Sequence, residues 1–105
     1  MSSVALRASE NFIRLLFETD KKQGKVLLTT ATPVQVNALT EISFNLLHRD
    51  IPNKFKRIVK KTKKVLTKLA KVTGSVKSKL ALIKKNAESI YKLLIAIKDS
   101  ILELL

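Results

Sequence analysis

Apolar residues recur at steps of three and four along most of this chain, and the pattern predicts a succession of amphipathic helices. Leu6, Phe12, Ile13, Leu16 and Phe17 predict a first helix over about residues 4–19, with Ser2 or Ser3 placed to cap it. Asp20 followed by Gln23 resembles a capping box ahead of Val26, Leu27 and Leu28, so a short second helix is expected to about Thr30. Gly24 counts against it, because glycine inside a helix costs about 1 kcal/mol. Thr32, Pro33 and Gln35 form a clearer start signal: a capping hydroxyl, a proline whose missing N–H is harmless, and a side chain able to reach back. Val36, Leu39, Ile42, Leu46 and Leu47 line the helix that begins there, and it is expected to stop near Ile51, ahead of Pro52. From Asn53, read as an N-cap, a further helix carries Phe55, Ile58, Val59, Thr62, Val65, Leu66 and Leu69 on one face, with Gly74 as its stop.

Ser75 is the expected cap of the last helix, whose pattern is the most regular in the chain. Val76, Leu80, Ile83, Ala87, Ile90, Leu94, Ile97, Ile101 and Leu104 alternate steps of four and three. Such a seam serves equally as the core stripe of a bundle helix or as a coiled coil with another chain, including a homo-oligomer. Unbroken, residues 76–104 would run for about 43 Å at roughly 1.5 Å per residue, against a radius of gyration near ~13 Å for a compact domain of this size. The helix must therefore overhang, bend or join an elongated assembly, and residues 86–89 are where a break is expected. The fold class is all-α: a single domain of four or five helices over residues 1–105, with the long heptad-patterned C-terminal helix as its spine.

Composition agrees with a folded helical domain. Of 105 residues 46% are hydrophobic, and only two are Gly and two Pro, which suits helices better than turn-rich sheets. No Cys is present, so disulfides and thiolate chemistry are excluded. No apolar run approaches the ~18 residues of a membrane span, and no cleavage site follows the apolar stretch 12–17, so an intracellular or particle-bound protein is expected.

Charge changes the picture more than composition does. Residues 54–85 hold thirteen Lys or Arg and no Asp or Glu, whereas residues 1–53 carry six basic and five acidic groups and residues 86–105 carry two and three. The formal charge of +13 thus sits in one block made of Lys54, Lys56, Arg57, Lys60, Lys61, Lys63, Lys64, Lys68, Lys71, Lys77, Lys79, Lys84 and Lys85. A surface built only for solubility intersperses both signs. Segregation points to an anionic partner: nucleic acid, an anionic membrane or an acidic protein. Lysine outnumbers arginine by twelve to one in the block, which favours phosphate neutralisation over base reading, since Lys is a point charge without the bidentate fork that recognises guanine.

The run Leu27-Leu28-Thr29-Thr30-Ala31-Thr32-Pro33-Val34-Gln35-Val36-Asn37-Ala38-Leu39-Thr40-Glu41-Ile42, followed by Asn45-Leu46-Leu47 and Ile51-Pro52, resembles a short basic protein of Polinton (Maverick) elements and adintoviruses. In that family the phrase precedes a basic cluster, matched here by residues 54–71, and a segment matched loosely by Ser75-Val76-Lys77-Ser78-Lys79. The resemblance covers about residues 12–85 and implies an adenovirus-like minor core or DNA-associated virion protein. After Lys85 the chain departs from the family's Gly-Gly-Phe segment and apolar tail, continuing instead into an amphipathic helix.

No catalytic constellation is legible. His48 is the single histidine and falls at a helix end, where the partial negative charge favours an imidazolium. Asp50 could pair with Arg49 or cap, and neither nucleophile nor second acid lies near it. Two isolated glycines make no phosphate loop. A non-enzymatic protein without cofactor or metal is expected, binding the phosphate backbone of double-stranded DNA without regard to sequence and condensing it in a virion. The alternatives are a membrane-active minor capsid protein and a helical module that recruits an acidic capsid partner.

Overall fold

A computed structural model describes residues 7–48, 51–71 and 74–103. The described residues form eight α-helices and no strand: α1 (Glu10–Glu18), α2 (Lys21–Thr29), α3 (Pro33–His48), α4 (Asn53–Lys61), α5 (Lys63–Leu69), α6 (Val76–Lys85), α7 (Ala87–Ala96) and α8 (Lys98–Leu102). The all-α reading holds. The start of the first expected helix, with Ser2, Ser3 and Leu6, lies outside the described residues, as do Arg49, Asp50 and Leu104.

Local chemistry sets the helix starts. Asp20 Oδ1 accepts from Gln23 N at 2.8 Å and opens α2. At α3 the capping box is reciprocal: Gln35 N donates to Thr32 Oγ1 at 3.3 Å while Thr32 N donates to Gln35 Oε1 at 2.9 Å. Ser75 Oγ accepts from Ser78 N at 3.1 Å and starts α6. Asn53 is not a cap; Pro52 holds that position and Asn53 is the first helical residue.

Two expected helices are divided. The basic helix breaks at Thr62, whose φ of −101° and ψ of 8° leave helical geometry, and whose Oγ1 donates to the carbonyls of Ile58 (2.9 Å) and Val59 (3.2 Å). A hydroxyl that back-bonds in this way competes with the backbone ladder and bends a helix. The C-terminal spine breaks at Asn86, within the expected span 86–89, and a further break at Ile97 corrects it to three helices. Asn86 Nδ2 donates to Leu82 O at 2.9 Å, the same competition from an amide. The division is also a matter of size, since the longest dimension of the molecule is 32 Å and a straight run over residues 76–104 would need about 43 Å.

The heptad seam folds inward on its own chain. Ile83, Ala87, Ile90, Leu94, Ile97 and Ile101 are all buried, with Val76 and Leu80 packed at the margin of the core. Ile83, Ile90, Leu94, Ile97 and Ile101 meet Phe12, Ile13 and Leu16 of α1, Leu28 of α2, Val36, Leu39 and Ile42 of α3, and Leu66 and Leu69 of α5 in one hydrophobic cluster. Of the two uses left open for this stripe, the described residues show the first: it packs against its own chain. α3 packs along α5, α2 packs along α7, and α6 touches α2, α3 and α5.

Candidate nucleic-acid interface

The stripe of α4 and α5 binds them to the core and thereby decides where their lysines point. Val59, Leu66 and Leu69 are buried, while Phe55, Ile58, Thr62 and Val65 are partly buried. At about 100° per residue, the remaining positions form a solvent-facing arc. Lys54, Lys56, Arg57, Lys60, Lys61, Lys63, Lys64, Lys68 and Lys71 are all exposed, as are Lys77, Lys84 and Lys85 on α6. None of the block's cations forms an ion pair with a described carboxylate, whereas outside the block Arg14 pairs with Glu10, and Lys21 and Lys92 with Glu88.

Six of these cations converge. Lys60, Lys61, Lys63, Lys64, Lys68 and Lys71, with Thr67, line one shallow, open concavity of about 780 Å³ along the α4–α5 junction and α5. The break at Thr62 sits between Lys61 and Lys63, so the two lysine pairs on either side of it border the same hollow. No aromatic residue lines it.

The other block members are distributed differently. Lys54 borders a separate hollow of about 410 Å³ between the ends of α3, α4 and α8, together with Asn45, Phe55, Asp99 and Glu103, and its Nζ stands 5.0 Å from the Phe55 ring centroid. Lys56, Arg57, Lys77, Lys84 and Lys85 are open to solvent but line neither hollow.

Lys79 is the exception to the expected phosphate-binding set. It is only 5% exposed, and its Nζ donates to Thr40 Oγ1 of α3 at 2.9 Å. Burial pushes its ammonium below the ordinary lysine range. Position 79 lies one residue before Leu80 and four before Ile83, on the core side of α6, and this spacing is the signal that could have marked it as internal. His48 ends α3 exposed, with its ring 4.4 Å from that of Phe44.

Sequence reasoning missed a second basic surface. Lys21, Lys22 and Lys25, with Val26 and Thr29, border an open hollow on the outer side of α2. Summing the charge of residues 1–53 concealed it, although the spacing of the three lysines already puts them on one helical flank. No described helix is long and apolar enough to cross a membrane. No family model matches the chain, and neither a curated protein nor a solved structure is significantly similar to it.

Proposed function

We propose that this chain is a non-enzymatic, sequence-independent nucleic-acid-binding protein that neutralises the phosphate backbone of double-stranded DNA through the lysines of α4 and α5. Its setting is the virion core, the role that the resemblance to Polinton and adintovirus proteins implies. The observation that carries the reading is the gathering of Lys60, Lys61, Lys63, Lys64, Lys68 and Lys71 around one open concavity with no described carboxylate among them.

Duplex DNA presents one negative charge per ~1.7 Å of axis under a condensed counterion layer, and cations that replace those counterions gain their release. Flexible ammonium groups on a convergent surface suit this task, because each can find a phosphate without fixing a register. With six phosphates engaged, affinity should fall about 10³-fold between 50 and 200 mM salt. The absence of aromatic lining favours backbone contact over base stacking.

The burial of Val59, Leu66 and Leu69 favours DNA over a membrane surface, since the apolar face that would enter lipid is spent in the core. A gel-shift titration against random-sequence duplex at 50 and 200 mM salt, beside flotation with anionic vesicles, tests the proposal. Salt-sensitive retention without flotation is the expected result. Flotation alone would favour the membrane-active reading, and neither response would favour an acidic capsid partner.

A further inference from the structure

Among the described helices, α3 alone carries neither Lys nor Arg, in a chain whose formal charge is +13. At about 100° per residue, Val34, Asn37, Glu41, Phe44 and His48 share one arc of α3, roughly opposite the buried Leu39, Ser43 and Leu46. This arc is open. Val34 is 49% and Phe44 45% exposed, Asn37 and His48 are exposed, and Glu41 is half-buried. No hydrogen bond or ion pair engages the Asn37 amide or the Glu41 carboxylate among the described residues.

The order of residues along the arc is self-complementary. Steps of three and four separate Val34, Asn37, Glu41 and Phe44, the spacing of a helix–helix seam. Positions 34 and 44 are equidistant from position 39, and so are positions 37 and 41. An identical helix laid antiparallel, with a two-fold axis beside position 39, therefore sets Val34 against Phe44 of the other copy and Asn37 against Glu41, each pair made twice. Apolar meets apolar, and an amide meets a carboxylate to which it can donate. Parallel stacking would set Glu41 against Glu41.

We infer that the outer face of α3 docks a second copy of this chain, antiparallel and two-fold, in the register that pairs position 34 with 44 and position 37 with 41. Charge favours a second copy on this face. Contact through any other described helix brings a Lys- or Arg-bearing element of one cationic molecule against the next, and like charges across an interface are costly. The 16 residues of α3 supply about 24 Å of contact length, which puts the pair among small, weak interfaces. Salt screens the mutual repulsion of the two molecules, so self-association strengthens with salt, the reverse of DNA retention. The inference goes beyond the DNA reading and does not rest on it, since no residue of this arc lines the α4–α5 concavity.

The chain has no Cys, so introduced cysteines report the register. V34C and F44C, each checked for helicity by circular dichroism, are oxidised at about 500 mM salt, separately and as an equal mixture. The mixture should form disulfide-linked dimer about tenfold faster than either variant alone, because positions 34 and 44 meet, whereas two copies of position 34 stand about 15 Å apart along the axis, beyond disulfide reach. In sedimentation, N37D sets a carboxylate against Glu41 and should weaken self-association about tenfold. N37D/E41Q exchanges donor and acceptor at unchanged net charge and should restore it. Linkage of either variant alone as fast as in the mixture, or no linkage at all, would overturn the inference. So would a wild-type chain that stays monomeric at 500 mM salt, or an N37D chain that associates as wild type does.

Discussion

Gly24 of α2 and Tyr91 of α7 are packed so closely that no β-carbon fits between them. One built on Gly24 would overlap Cε1 and Cδ1 of the ring and stand 3.0 Å from Cζ. The ring is buried and cannot swing aside freely, because its hydroxyl donates to Thr19 O at 3.0 Å. The glycine has no positive φ, so its role is room and not backbone freedom. Alanine, which elsewhere in a helix gains about 1 kcal/mol over glycine, is expected here to destabilise by about 1–3 kcal/mol through overpacking. Urea denaturation of Gly24→Ala checks the sign, and Tyr91→Leu in the same chain should recover part of the loss.

Buried Lys79 and half-buried Thr40 form a polar contact between α6 and α3. Thr40→Val removes the acceptor and leaves a buried ammonium without it, at an expected cost of about 1–3 kcal/mol. In a Lys79→Met background, which keeps an apolar stem of similar length, the same change should cost much less. The pH dependence has a definite sign. Because burial holds the folded-state pKa below the ordinary 10.5, the folded state sheds this proton first, so stability gains from Lys79 as pH rises through that window. The penalty is fully present at neutral pH. Denaturation midpoints taken up to pH 10.5 should show the rise in wild type and its absence in Lys79→Met, while DNA retention is the same in both.

The α4–α5 surface makes a prediction about slope as well as affinity. K60Q/K61Q/K63Q/K64Q removes four of the six converging cations without touching the buried stripe. The slope of log affinity against log salt should become shallower by about 3.6, at roughly 0.9 per lost phosphate contact. Far-ultraviolet circular dichroism should be unchanged. A slope equal to that of wild type would remove these lysines from the interface.

Glu88 limits the positive charge of the α2 surface. Glu88→Gln raises it by one and removes the ion pairs with Lys21 and Lys92. Because its partners hold the carboxyl below the ordinary 4.5, its contribution to stability is complete above that pH and is lost as pH falls through the lower folded value. Acid titration of stability should accordingly be shallower in Glu88→Gln than in wild type.

Much of the fold was legible from residues near one another in the chain. The caps at Asp20, Thr32 and Ser75 are contacts over three residues, and the buried faces of α1, α3, α4 and α5 follow their own apolar spacing. Breaks were harder to read, except at Asn86, which falls in the span 86–89 where the length of the last helix required one. Thr62 and Asn86 interrupt helices through side-chain bonds to carbonyls three or four residues back, and the same residue types are tolerated within helices where packing asks for no bend.

By itself the sequence determined an all-helical chain, its capped starts, its buried stripes and a block of lysines without carboxylates, because each depends on local hydrogen bonds or on helical periodicity. Only the tertiary structure decided that Lys79 points into the core toward Thr40, that the heptad stripe is spent on its own chain, and that Gly24 is the seat of Tyr91. It also decided which lysines converge. Those outcomes depend on which helix faces which across intervals of 39 and 72 residues, and periodicity carries no information about the neighbour that a helical face will meet.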